Sequence, residues 1–160
     1  MAQTAKHLKW CLNDEKRLKR IKPDKELARQ HLKKSQYNTE VMRLLEELGK
    51  HDWALNVGFY AIYHCLLAII TKHGYESRNQ SCTITVILKL IEDKSINLDK
   101  DLVKQIDTFD AEKEAATPTI RKNREQSTYS IKTEVGDDEL HQTKELAKRM
   151  QQETINIINT

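Results

Sequence analysis

Residues 53–83 read WALNVGFYAIYHCLLAIITKHGYESRNQSCT, the only long apolar segment in a polar chain. From about His51 to Lys72 its apolar side chains cover most of a helical surface rather than one stripe. That pattern belongs to the central helix of a bundle, surrounded by other helices. Gly74 stops it, and Ser77 to Ser81 is a polar loop with capping residues. The tyrosines and histidine of the segment fall at helical spacing on a face that suits core, partner interface or active site.

Helices are expected on both sides. Pro23 breaks the chain, because its ring lacks an N–H and clashes with the preceding turn. A long helix fits Asp24 to Leu48, with acidic residues in its first turn and Gly49 as its C-terminal stop. Leu27, Leu32, Val41, Leu44, Leu45 and Leu48 supply its apolar stripe. Downstream, a third helix is expected over about Cys82 to Glu92. The run Thr83 to Leu90 is rich in β-branched residues that favour strands, but the helical context assigns it to that helix. A fourth helix, capped by Asn97 or Asp99, is expected to about Ala116. Thr117 and Pro118 form a good start for a helix over about Thr119 to Ile131. Gly136-Asp137 separates a last helix, about Asp138 to Ile158. No convincing strand is visible.

With 160 residues the chain is one domain large enough to bury a core. Apolar residues make up 38% and charged residues 32%, so the hydrophobic side chains must be concentrated on stripes. Four glycines and two prolines are too few for a turn-rich all-β fold. The expected fold is all-α, an antiparallel up-down bundle of four to five helices spanning 23–160. Residues 1–22 form a basic N-terminal leader with helical character. Trp10, Leu12 and Leu18 are placed to dock it.

The net charge of +3 is mild for a duplex-DNA binder. The basic residues cluster early, in KRLKR at 16–20 and at Lys33-Lys34. That cluster is either a solvated face or a phosphate-attracting surface. Cys11, Cys65 and Cys82 show no metal-ligand or paired spacing and read as thiols in a reducing compartment. No metal or cofactor is expected. The N-terminus lacks the apolar core of a secretion signal. The apolar run Phe59 to Ile70 is too short to span a bilayer and contains His64. These features point to a cytoplasmic protein with no membrane partner.

The block DWALNVGFYAIYH followed by KHGYESRNQSCTI resembles the HEPN superfamily, small helical domains of prokaryotes built as antiparallel bundles. Similar members share a Trp before the second long helix, a Y-A-x-[YF]-H cluster on it, and a G-x-x-S loop after it. They also share a later R-x4-6-H or R-x-x-x-D-Y element. Here these are Trp53, Tyr60-Ala-Ile-Tyr63-His64, Gly74-Tyr-Glu-Ser77, and Arg124 to Tyr129. The resemblance implies a two-fold homodimer.

In many HEPN proteins the Arg and His of R-x4-6-H, from both chains, form a metal-independent ribonuclease cleft. Arginine stabilises charge building on phosphate, and histidine moves the proton of a 2′-hydroxyl. This chain has no R-x4-6-H. From Arg124 the histidine positions hold Tyr129, Ser130 and Ile131, and a phenol is a poor base at neutral pH. Other HEPN proteins act beside minimal nucleotidyltransferases in toxin–antitoxin pairs, where AMP is added to a tyrosine near the Arg element. The resemblance makes Tyr129 the modification acceptor. The positive charge of RKNR at 121–124 makes Arg121, Lys122 and Asn123 expected ligand-binding residues for a nucleotide or RNA, with Tyr60 and Tyr63 on the apolar helix lining either that ligand or a core or dimer seam.

Two functions therefore stand at this point. One is a nucleotide- or RNA-binding component of a HEPN–nucleotidyltransferase toxin–antitoxin system. The other is a metal-independent endoribonuclease toxin whose atypical catalytic centre uses Arg124, with Tyr129 or His64 assisting. A bundle that only assembles with other proteins is the plainest alternative.

Overall fold

Only Leu48-Gly49-Lys50 separates two long helices of the bundle. A computed structural model describes residues 2–107, 119–131 and 133–160. Helix α2 (Lys25–Glu47) starts where Asp24 Oδ1 accepts the Leu27 N–H at 2.9 Å. It ends at Gly49, whose φ of +74° suits a residue without a Cβ. Helix α3 (His51–Lys72) then runs back against it. Such a short connection forces the pair to be antiparallel.

Helix α3 is the central element. Leu55, Ile62, Leu66, Ile69 and Ile70 are fully enclosed. Burying each contributes about 1.5–3 kcal/mol. It packs against α2, against α4 (Gln80–Glu92), against α6 (Ile120–Tyr129) and against α7 (Asp137–Ile158). By length and composition α3 could cross a membrane, contrary to the expectation from the shorter run 59–70. However, 72% of its most apolar window is buried inside the bundle. Its hydrophobicity is spent on protein contacts.

The all-α expectation holds, with six helices after the leader among the described residues. The ambiguous run Thr83 to Leu90 is helical, and its helix α4 is capped by Asn79 Oδ1 on the Cys82 N–H at 3.0 Å. Helix α5 (Lys100–Ile106) is capped by Asp99 and is shorter than expected. The remainder of the expected fourth helix, and the Thr117-Pro118 start, lie outside the described residues. Thr119 is the cap of α6, its Oγ1 accepting from the Lys122 N–H at 3.3 Å.

Two expectations are corrected at the N-terminus. A strand pair is present, β1 (Leu18–Arg20) antiparallel to β2 (Tyr75–Ser77), with Lys19 opposite Glu76 and Arg20 opposite Tyr75. Strands of three residues carry no period that a sequence can display. The ladder continues through Ile21 N–H to Gly74 O at 2.9 Å. Gly74, at φ +89°, sits where a Cβ would lie 2.9 Å from that Ile21 carbonyl. Second, Cys11 and Cys82 are joined as a disulfide, across 71 residues of sequence. Cys65 alone is a buried thiol. The bridge removes the argument that the cysteines indicate a reducing compartment.

The leader is thus part of the body. Helix α1 (Ala2–Leu12) buries Thr4, Leu8 and Cys11, which recur at helical spacing, and β1 buries Leu18. Trp10, expected to help dock it, is 46% exposed instead. It lies on the opposite face from the Leu8–Cys11 stripe.

Candidate functional site

Helix α6 brings the basic RKNR run of 121–124 onto α3. Ile120 is fully buried and anchors its first turn. Farther along, Thr128 Oγ1 donates to Asn56 Oδ1 at 3.0 Å. Between these two anchors the inward positions are Asn123 and Arg124, both buried. Lys122 and Tyr129 point to solvent, Tyr129 being 79% exposed.

The Arg124 guanidinium lies over two rings of α3, 4.8 Å from the centroid of Phe59 and 5.5 Å from that of Tyr60. The attraction of a cation to the face of a ring fixes it there. Phe59 meets Tyr60 edge-on at 5.2 Å and stacks on Tyr63 at 5.8 Å. The charge itself is poorly matched. Glu125, the nearest carboxylate among the described residues, is 3.9 Å from Arg124 Nη2. Its Nε is buried with no hydrogen-bond acceptor among the described residues. A buried cation without a close anion is costly. An incoming phosphate oxygen would supply what this guanidinium lacks.

Arg121 differs. Its Nη1 pairs with the buried carboxylate of Asp107 at 2.5 Å, and its Nε lies 3.3 Å from Glu125. Burial alone would weaken its hold on the proton, but Asp107 and Glu125 outweigh that. Arg121 is committed to structure. Asn123 instead borders a groove of about 450 Å³ between α6 and the start of α7, with Gln126, Ser127, Ser130 and Glu139. The larger cavity, about 860 Å³ beside Lys72, Asn97 and Asn156, contains none of the expected site residues.

Tyr63 belongs to a buried hydroxyl chain. Its OH is 2.9 Å from Thr83 Oγ1, which is 2.7 Å from Ser77 Oγ. Burial pushes the phenol pKa up, and the bonds to Thr83 and Ser77 oppose this. The chain ties α3, α4 and β2 together, while burial keeps Tyr63 protonated.

His64 faces the other way, toward α2. Its Nδ1 is 3.1 Å from Nδ1 of His31. Burial, then the nearness of His31 and Lys34, pulls its pKa down to about 4. The contacts of His64 are with α2, while those of Arg124 are with Phe59, Tyr60 and Glu125. Tyr60 stands between them, one helical turn before His64. Among the described residues no group of three or more His, Cys, Asp or Glu could hold a metal ion.

The sequence singled out Arg124, Tyr60 and Tyr63, and they do meet, Tyr63 through its stack on Phe59. It missed Phe59, Asn56, Asp107 and Glu125. Phe59 and Asn56 were findable, since each lies four residues before a singled-out or buried position on one helical face. Asp107 offered no signal, because its pairing is purely tertiary.

The profile of the HEPN domain matches residues 28–160, most of the chain. The chain belongs to the HEPN domain family. No curated protein matches it in sequence. The HEPN match begins at Ala28 within α2, so α1 and β1 precede it. Most of α2 and all of α3 to α7 lie within the matched span, and so does the Arg124 site.

Proposed function

We propose that this HEPN protein is a homodimer that binds the phosphate of a nucleotide or RNA at Arg124 and acts beside a minimal nucleotidyltransferase in a toxin–antitoxin-type pair. The observation that carries the reading is the Arg124 guanidinium, buried over Phe59 and Tyr60 and lacking a close anion. Asn123, which borders the groove, and exposed Lys122 supply further donors on the same helix.

A dimer is supported by a half-covered stripe along α3. Trp53, Val57, Tyr60, His64 and Leu67 recur at intervals of three or four and are not fully buried. Exposed Leu44 and Leu48 of α2 border its start. Tyr60 is common to this stripe and to the Arg124 stack, so a two-fold contact there would bring two sites together. Tyr129 is the proposed AMP acceptor: its exposed hydroxyl would attack the α-phosphate of ATP held by the transferase, releasing pyrophosphate.

Binding is favoured over cleavage by the state of His64. A base with a pKa near 4 takes a 2′-hydroxyl proton poorly at neutral pH. The test is titration of the purified protein with AMP, ATP and a labelled RNA pool in EDTA, beside Arg124→Gln. Binding by the parent that is lost in Arg124→Gln, without cleavage, supports the reading. Cleavage lost in the same variant would establish the ribonuclease instead.

A further inference from the structure

The N-terminal leader carries a charge that the rest of the molecule does not balance. Residues 1–25 hold eight Lys and Arg against three Asp and Glu, although the whole chain is only +3. The remaining residues are therefore net acidic. None of the leader cations at 2–25 forms an ion pair among the described residues. Two of the three acids are engaged with backbone, Asp24 on the Leu27 N–H and Asp14 on the Lys16 N–H.

This charge sits on a rigid surface. The leader is fixed by the Cys11–Cys82 disulfide, by buried Leu8 and Leu18, and by the β1–β2 pairing. The Arg78 N–H donates to the Arg17 carbonyl at 3.0 Å, which sets a further exposed arginine beside the leader. Aromatic rings are interleaved with the cations. Trp10 is 46% exposed, yet it is held: the Arg17 guanidinium is 3.7 Å from its ring centre, and His7 stacks on it at 5.3 Å with planes 14° apart. On the other face of the strand pair, Arg20 lies 5.2 Å from the centre of the Tyr75 ring and donates to its OH at 3.1 Å. A large ring kept at the surface while Leu8, Leu12 and Leu18 face inward contributes little to the core.

We infer that the leader face built on Trp10, Arg17, Lys19 and Arg78 is a binding surface for single-stranded RNA, separate from the Arg124 site. A fixed ring among unpaired cations suits a strand whose phosphates follow the charges and whose bases stack on the outer plane of the Trp10–Arg17 pile. Acidic protein segments or anionic lipid would satisfy the charges but have no use for the planar Trp10–Arg17 stack. The inference stands whether or not Arg124 binds nucleotide.

The experiment uses the full chain with its disulfide intact. A Trp53→Phe background leaves Trp10 as the sole tryptophan. Oligouridylate is expected to quench its emission on binding. Trp10→Ala, an exposed site whose folding is checked by circular dichroism and whose binding is read by anisotropy of fluorescein-labelled oligouridylate, is expected to lose about tenfold in affinity. Lys19→Gln with Arg78→Gln should keep the quench and flatten the salt dependence by about one phosphate contact per residue. Arg124→Gln should leave all of this intact. Unchanged affinity in both leader variants overturns the inference. So does equal displacement by polyglutamate, or preference for phosphatidylserine vesicles, because either would reduce the surface to bare charge.

Discussion

His31 and His64 present the same ring nitrogen, Nδ1, to each other at 3.1 Å across the α2–α3 seam. One of the two must donate and the other accept, so the contact requires at least one neutral ring. Two protonated rings at that distance would repel, with Lys34 adding to the charge.

This sets a pH dependence of stability. The His64 pKa falls from 6.5 to about 4 on folding, and that of His31 is also lowered by burial. Between those values the unfolded chain holds protons that the folded chain refuses. Stability is therefore full above pH 6.5 and declines as pH falls toward 4. The loss is about 1–2 kcal/mol, because solvent still reaches both rings and screens the charge. Urea unfolding from about pH 7 to about pH 4.5 measures it. His64→Leu should flatten the slope over that interval, and an unchanged slope would place the effect elsewhere.

Arg124 should be dispensable for folding. Removing it loses the attraction to Phe59 and Tyr60, about 0.5–1 kcal/mol for each ring. It also relieves a buried Nε without an acceptor, a penalty of about 1–3 kcal/mol. These nearly cancel if the volume is kept. Arg124→Met is expected to unfold within about 1 kcal/mol of the parent while losing phosphate affinity. A loss above about 3 kcal/mol in denaturant unfolding would make Arg124 a structural residue.

Much of this was legible beforehand, because the period of α2, α3 and α7 is long, α2 and α3 stop at Gly49 and Gly74, and Gly136 precedes α7. The boundaries of α3, His51 to Lys72, follow directly from the apolar run and Gly74. What the sequence hid is tertiary. The β1–β2 pair joins residues more than fifty positions apart and has no period of its own. The disulfide joins cysteines whose spacing resembles no motif. At the site, Arg124 and its aromatic neighbours were visible as types at helical spacing. That Arg121 would be spent on Asp107, and that His64 would turn toward His31, depended on packing partners outside their own helices.

The disulfide should stabilise the leader strongly. It closes a long loop, for which the loss of chain entropy in the unfolded state amounts to about 2–4 kcal/mol. Cys11→Ala with Cys82→Ala is expected to lower stability by that amount and to open α1 to proteolysis. A thiol-reactive dye offers an independent check. Cys65 is buried and its pKa is pushed up to about 11, so the native protein should react with no equivalent of dye until unfolded. Prompt labelling of two or more thiols in the native state would contradict the bridge.

Gly58 marks the closest approach of three helices. A Cβ there would lie 2.7 Å from Thr143 Cγ2 on α7 and 2.8 Å from Met42 Sδ on α2. Met42 can shift its flexible end, but Thr143 is β-branched, fully buried and bonded to the Glu139 carbonyl at 2.9 Å. Relief must therefore come from separating α3 and α7. Gly58→Ala improves local helix propensity by about 1 kcal/mol. Overpacking costs about 1–3 kcal/mol, so the net effect is destabilising. Gly136→Ser provides the contrast, because its side chain meets open space at the start of α7. There a hydroxyl cap should leave stability unchanged or raise it by roughly 0.5 kcal/mol. Thermal unfolding of the two variants side by side decides the matter: a Gly58→Ala protein as stable as Gly136→Ser would mean that the three helices are not held at this spacing.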